Sequence, residues 1–292
     1  METLTSKKVR IRPMEPGDAQ ACGRCAFEAH RCVAEMNNFP PEHPSVEFSI
    51  GMMNAKIKDP QAHGWLAERD GEVAGSIFLN DFAPTPVAAI GPLTVHPRHE
   101  GGTGRALMET ALGQAQSRNI ESVRLVQSPS HLRSLALYAK LGFEAREPLL
   151  LMRGRPAAFP LSAGNVRVAT TADADSCNAL CKRVHGFSRA PELAQAIGQQ
   201  AARVLERDGG VRAYATAIGF RGHAIGETVA DIAALISHAP ESPGPGFFLP
   251  LRNGELLQWA LAAGLKALWP AMLMTRGRYQ EPRGAFLPSI AF

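Results

Sequence analysis

At 292 residues the chain is too long for one ordinary small domain, and two of about 150 residues are the natural expectation. A hydrophobic content of 45% beside 20% charged residues excludes a disordered chain, and a net charge of only +4, with signs interspersed, argues against a nucleic-acid-binding surface. The first eight residues lack the apolar core of a signal peptide, and Gln258, Lys266 and Pro270 interrupt the most apolar stretch, 256–274, so a cytoplasmic protein with no membrane span is expected.

In chain order, residues 9–13 read as a strand and 18–36 as a helix carrying Cys22, Cys25 and Phe27. The five cysteines fall at 22, 25, 32, 177 and 181. Cys22, Cys25, His30 and Cys32 share one helical stretch with no second cysteine pair at zinc-ribbon spacing, so buried packing is expected in place of a metal site or disulfides. A short helix over 46–58 follows a proline-broken segment. Strands 64–69 and 72–80 then flank Asp70-Gly71, an Asp-Gly hairpin signal. Residues 87–96 form a further strand, in which Gly91-Pro92 is expected to bulge.

The stretch after that strand says most about chemistry. Gly101, Gly102 and Gly104 run into a helix over 104–117, with Arg98, His99 and Arg105 beside them. Glycines allow positive φ and close approach of the backbone to a ligand, and the unpaired N–H groups of a helix start suit a phosphate. A P-loop requires Gly-Lys-Ser/Thr, which is missing, and a dinucleotide fingerprint requires a third glycine where Leu107 stands. Strand 122–127, helix 131–141 and strand 148–152 complete a mixed sheet with helices on its faces, an α/β (α+β) arrangement.

The second half repeats the plan of the first. Val9/Val166, Arg10/Arg167, Ile11/Val168 and Asp18/Asp175 share an offset of 157, and the run from Leu150 to Arg155 resembles that from Leu273 to Arg278. Together these point to an internal duplication joined by the proline-bearing linker 156–164.

These residues resemble the GCN5-related N-acetyltransferase (GNAT) family over about residues 8–154. Val95-His96-Pro97 with Gly102-Thr103-Gly104 resembles the family's cofactor motif. His131, Ser134, Leu137, Tyr138, Gly142 and Phe143 resemble its second motif, with His131 in place of the usual Asn. The loop is one residue short, leaving His99 or Glu100 where the family has Gln or Arg, and Glu100 is expected to face solvent.

The resemblance implies two tandem GNAT-like domains. Residues 1–156 would be the catalytic, acetyl-CoA-binding copy, and 165–292 a divergent copy without catalysis. In the second copy Asn253 stands for His131 and Gly264 for Gly142 at an offset of 122, but Ala260 replaces Tyr138 and no phosphate loop precedes helix 229–238.

The implied reaction is acetyl transfer from acetyl-CoA to a primary amine of a small molecule or peptide, by direct attack in a ternary complex and without metal. A homodimer is compatible with it, and a non-catalytic acyl-CoA-binding or regulatory protein is the alternative. Backbone N–H groups at Leu93, Thr94 and Val95 would meet the thioester. Arg98, His99, Gly101, Gly102, Thr103, Gly104 and Arg105 would hold pyrophosphate, with His131, Arg133 and Ser134 along the pantetheine arm. Tyr138, a phenol of pKa about 10, is the expected general acid. Asp81 and His96 are the leading candidates for the base, followed by His43 and Glu47 in the acceptor-lining segment 30–59, unless water or an already neutral amine removes the need.

Overall fold

The computed structural model describes residues 9–39, 41–157, 164–239 and 244–291. The opening octapeptide and most of the 156–164 linker lie outside the described residues. The chain divides into two compact units, Met1–Asp81 with Ala88–Val123, and Phe82–Val87 with Arg124–Phe292.

The first unit contains β1 (Arg10–Pro13), α1 (Ala19–Asn37), α2 (Val46–Lys58), β2 (Ala62–Arg69), β3 (Glu72–Asp81), β4 (Val87–Val95) and α3 (Thr103–Ser117). β1 through β4 are successive antiparallel neighbours. Asp70 and Gly71 both take positive φ, 56° and 81°, in the hairpin turn that the sequence announces. Ser45 caps α2 by accepting a 3.1 Å hydrogen bond from the Phe48 N–H. Cys22 and Ala26 of α1 pack with Met53, Leu66 and Phe78, so Cys22 serves as a small apolar residue.

β5 (Ser122–Gln127) leads into the second unit, which continues with α4 (Leu132–Lys140), β6 (Glu144–Arg153), β7 (Asn165–Val168), α5 (Ala174–His185), α6 (Ala190–Gly198), β8 (Arg203–Arg207) and β9 (Gly210–Ala215). It ends with β10 (Ala224–Gly226), α7 (Val229–His238), β11 (Phe247–Pro250), α8 (Gly254–Ala262), β12 (Lys266–Gly277) and β13 (Ala285–Leu287). Five strands form one sheet in the order β13-β10-β9-β8-β7. β6 is flanked on both sides by antiparallel partners from later in the chain, β11 and β12. The architecture is mixed α/β with two sheets. Among the described residues, no helix is long and apolar enough to cross a membrane.

The duplication is visible in side-chain detail, at a spacing that corrects the sequence alignment. Arg12 clasps Asp18 with two hydrogen bonds of 2.7 Å each, and Arg167 clasps Asp173 with two of 2.8 Å. Each arginine also donates through Nε, to Glu68 at 2.8 Å and to Glu206 at 3.1 Å. Arg12 and Arg167, Asp18 and Asp173, and the buried Cys22 and Cys177 are all 155 apart, so the true offset is 155 and not 157. Strand side chains alternate with period two, so Arg10 and Arg12 are indistinguishable by pattern, and only the carboxylate partner tells them apart.

Candidate functional site

In the first unit the candidate site begins on β4. Ile90 pairs with Leu79 and Leu93 with Ile77, so Gly91 and Pro92 together oppose the single residue Phe78. This is the expected bulge, with Gly91 at φ 152°. The buried Asn80 side chain spans it, donating to the Ala89 carbonyl at 3.1 Å and the Gly91 carbonyl at 3.2 Å, while its own oxygen accepts from Lys56 of α2. Beyond the bulge, Thr94 is buried against Ser76 with hydroxyls 2.7 Å apart, and Leu93 and Val95 are half-buried.

A single 3-10 turn, Pro97–His99, carries the chain out of β4 toward α3. Thr103 is buried and donates to the His99 carbonyl at 2.7 Å, fixing the loop onto its helix. Gly101 and Gly102 have φ of 89° and 99°, a left-handed region that L-residues avoid. A Cβ at either would meet no atom within 4 Å, so the surface above them is open. Gly102 is the N-cap of α3 and supplies no side-chain cap. The first intrahelical bond runs from the Ala106 N–H to the Gly102 carbonyl at 2.9 Å, and the N–H groups of the first turn before it have no intrahelical acceptor. Arg98, Glu100 and Arg105 are exposed around the loop, with Arg105 3.0 Å from Glu109.

The helix that follows β10 in the second unit starts with a side-chain cap. β10 ends at Gly226 and α7 begins at Val229. Thr228 and Asp231 cap one another there, and the buried Asp231 also takes a 2.7 Å bond from Arg207.

Also in the second unit, His131 is the N-cap of α4 at φ −84°, ψ 72°, and Asn253 caps α8 at φ −84°, ψ 62°. Ser134 Oγ lies 2.6 Å from His131 Nδ1, and the same hydroxyl is hydrogen-bonded to the Tyr138 phenol. Tyr138 is buried, which pushes its phenol up to about 12, with the Ser134 bond acting against the shift. Arg133 lies exposed on the same helix.

Both leading base candidates are held by structural contacts. Asp81 is buried and its carboxylate is taken by Arg118, with Nε at 2.6 Å and Nη2 at 2.5 Å. His96 is kept neutral, below the usual histidine range, by partial burial and the charges of His99 and Arg98. Its Nδ1 accepts the Arg98 N–H at 3.2 Å, so the neutral ring carries its proton on Nε2 and offers no second acceptor. In the 30–59 segment, His30 and His43 stack at 3.9 Å, and His43 Nδ1 lies 2.8 Å from Ser49 Oγ.

Asn80, Lys56 and the Ser134 link escape a sequence reading based on motifs. The available signal for Asn80 is a polar residue closing the apolar run Ile77-Phe78-Leu79 on a strand. A second missed signal is the tetrapeptide Glu-Arg-Asp-Gly, present at 68–71 and again at 206–209, which marks the hairpin of each copy.

The Acetyltransferase (GNAT) family model matches residues 30–143. No curated protein matches the chain significantly. Among solved structures, a protein described as an acetyltransferase from Pyrococcus horikoshii is similar over 100% of this chain and 98% of its own, with 15% identity and a TM-score of 0.72. A GCN5-related N-acetyltransferase from Sphaerobacter thermophilus is similar over 95% of this chain and 98% of its own, at 14% identity and a TM-score of 0.62. At such identities the likeness is one of fold, and it extends through the second half. Residues 30–143 thus carry the part of the chain that the Acetyltransferase (GNAT) family model matches.

Proposed function

We propose that this protein is an acyl-CoA-dependent N-acetyltransferase that moves an acetyl group to a primary amine by direct attack in a ternary complex. Acyl transfer is the activity of the family whose model matches residues 30–143. We further propose that catalysis belongs to residues 1–156 and that 165–292 is a divergent, non-catalytic copy. The carrying observation is the contrast between two helix starts. α3 opens with left-handed glycines, no side-chain cap and free space above them, while α7 is capped by Thr228 and Asp231. An uncapped helix start of this kind suits a pyrophosphate.

In this reading the first-turn N–H groups from Thr103 to Arg105 and the backbone of Gly101 and Gly102 hold phosphate oxygens, with Arg98, His99 and Arg105 adding charge at the rim. The β4 segment Leu93–Val95 beyond the bulge supplies backbone donors for a carbonyl oxygen. Bound acyl-CoA supplies an activated thioester. Tyr138, protonated across the physiological range, donates a proton to a departing thiolate, and Ser134 and His131 hold the phenol and pantetheine oxygens. With Asp81 paired to Arg118 and His96 protonated at Nε2, the amine proton is assigned to solvent or to an acceptor that arrives neutral.

Thiol release from acetyl-CoA across a panel of primary amines tests the proposal. Turnover with at least one amine, reduced strongly in Tyr138→Phe, supports it. Tight acetyl-CoA binding without turnover for any amine would favour a non-catalytic acyl-CoA-binding role.

A further inference from the structure

Lys56 stands where the pattern of α2 calls for an apolar side chain. Ser49 and Met53 are the buried residues of this helix, and Lys56 follows at the next position on their face, in the spacing i, i+4, i+7. Its half-buried side chain ends on Oδ1 of Asn80, near the end of β3. The Asn80 amide has one orientation that satisfies all of its neighbours. Nδ2 donates to the Ala89 and Gly91 carbonyls at 3.1 Å and 3.2 Å, and Oδ1 accepts from the ammonium. A charged donor on the amide oxygen bonds more strongly than a neutral one. It also polarises the amide, which strengthens both Nδ2 donations.

The β4 bulge depends on such bonds. The ladder register shifts between the Leu79–Ile90 and Ile77–Leu93 pairs, and Pro92 has no N–H to donate. On one side of Gly91 and Pro92 the strand is braced by the Asn80 bridge, which is rooted in α2. On the other it is braced by the Thr94 hydroxyl, 2.7 Å from that of Ser76. A helix outside the sheet thus reaches the bulge through one side-chain amide.

We propose that Lys56 is a positioning residue for acyl transfer. Through Asn80 it ties α2, in the segment read as lining the acceptor, to the β4 bulge that leads into the Leu93–Val95 donors. The inference rests on the acyl-transfer reading given above. It assigns Lys56 no contact with acyl-CoA and no share in proton transfer.

The test compares Lys56→Met, Lys56→Arg and the exposed Lys58→Met in the full chain, by amine-dependent thiol release and by amide hydrogen exchange. Lys56→Met is expected to lower kcat about tenfold, with acetyl-CoA affinity within about twofold of the wild type. The amides of Gly91, Leu93, Thr94 and Val95 should exchange about tenfold faster, while those of Trp65–Ala67 in β2 stay unchanged. Lys56→Arg keeps a charged donor and should restore most of both losses. Lys58→Met removes a charge from the same helix end and should alter neither. In an Asn80→Ala background Lys56→Met should add nothing, because the bridge is already gone. Unchanged kcat and exchange in Lys56→Met, additive effects in the double variant, or faster exchange spread evenly over β2 and β4 would overturn the proposal. Absence of turnover in the wild type contradicts the acyl-transfer reading, and the exchange comparison then decides the Lys56–Asn80 link by itself.

Discussion

Ser134 Oγ sits 2.6 Å from His131 Nδ1 and is hydrogen-bonded as well to the Tyr138 phenol, so one hydroxyl joins the residue that starts α4 to the residue near its end. The spacing of three and four residues places all of them along one helical face. Tyr138 is therefore held by its own helix. A phenolate formed by proton donation would find a hydroxyl donor already in place.

Replacing Tyr138 by Phe removes the donor and keeps the ring. The expected loss in kcat is about 10²- to 10⁴-fold, with acetyl-CoA affinity changed little, as read by steady-state kinetics and calorimetry. Ser134→Ala should give a smaller fall in kcat, because the phenol survives without its partner.

The pH dependence of Tyr138 has a definite sign. Burial raises its pKa to about 12, so the protonated form persists well past the ordinary phenol value of about 10. Activity should show no alkaline limb from this group up to about pH 11. Its contribution to folding is full below about pH 10 and is lost as pH rises toward 12, because the unfolded chain releases the proton first. A Tyr138→Phe variant should lack that alkaline loss in a denaturant-midpoint series.

At the glycine loop, conformation and charge can be separated. Gly102→Ala meets open space but forces an alanine to φ 99°, so a stability loss of about 1–2 kcal/mol is expected by chemical denaturation. Gly104 lies inside the first turn of α3, so Gly104→Ala should fold normally. Gly104→Glu should abolish acetyl-CoA binding by placing a negative charge beside the phosphate position.

The twin clasps give an acid-side prediction. Arg167 and the Thr170 backbone hold the Asp173 carboxyl well below the usual carboxylate range, and Arg12 does the same for Asp18. A depressed pKa stabilises the fold above the unfolded value of about 3.9, and the benefit disappears as pH falls below it. Asp173→Asn should cost about 1–3 kcal/mol at pH 7 and progressively less below pH 4. Urea denaturation at several pH values checks this.

Asn80 is expected to matter through the β4 backbone. Asn80→Ala removes both bonds that brace the carbonyls of Ala89 and Gly91 around the bulge. A fall in kcat/KM of about tenfold is expected, with acetyl-CoA still bound, since each lost bond is worth on the order of 1 kcal/mol.

Much of the backbone was legible in the sequence because period and punctuation agree there. The Asp70-Gly71 turn, the helix over 46–58 and the strand over 122–127 all fall where pattern puts them. So does the Gly91-Pro92 bulge. The sheet partners were not legible, because nothing local in β6 indicates that β11 and β12 from later in the chain will flank it. The repeat offset slipped by one strand period because β1 shows arginine at two positions on the same face. The ties on Asp81 and on the bulge arise from Arg118 and Asn80, residues whose long-range partners no motif encodes.

The most direct test of the central claim is calorimetric titration of the intact protein with acetyl-CoA, beside Gly104→Glu. A single binding event is expected in the wild type and none in the variant, with the Thr228–Asp231-capped helix of the second unit adding no further site. Absence of binding in the wild type, equal affinity in Gly104→Glu, or two equivalent sites per chain would contradict it.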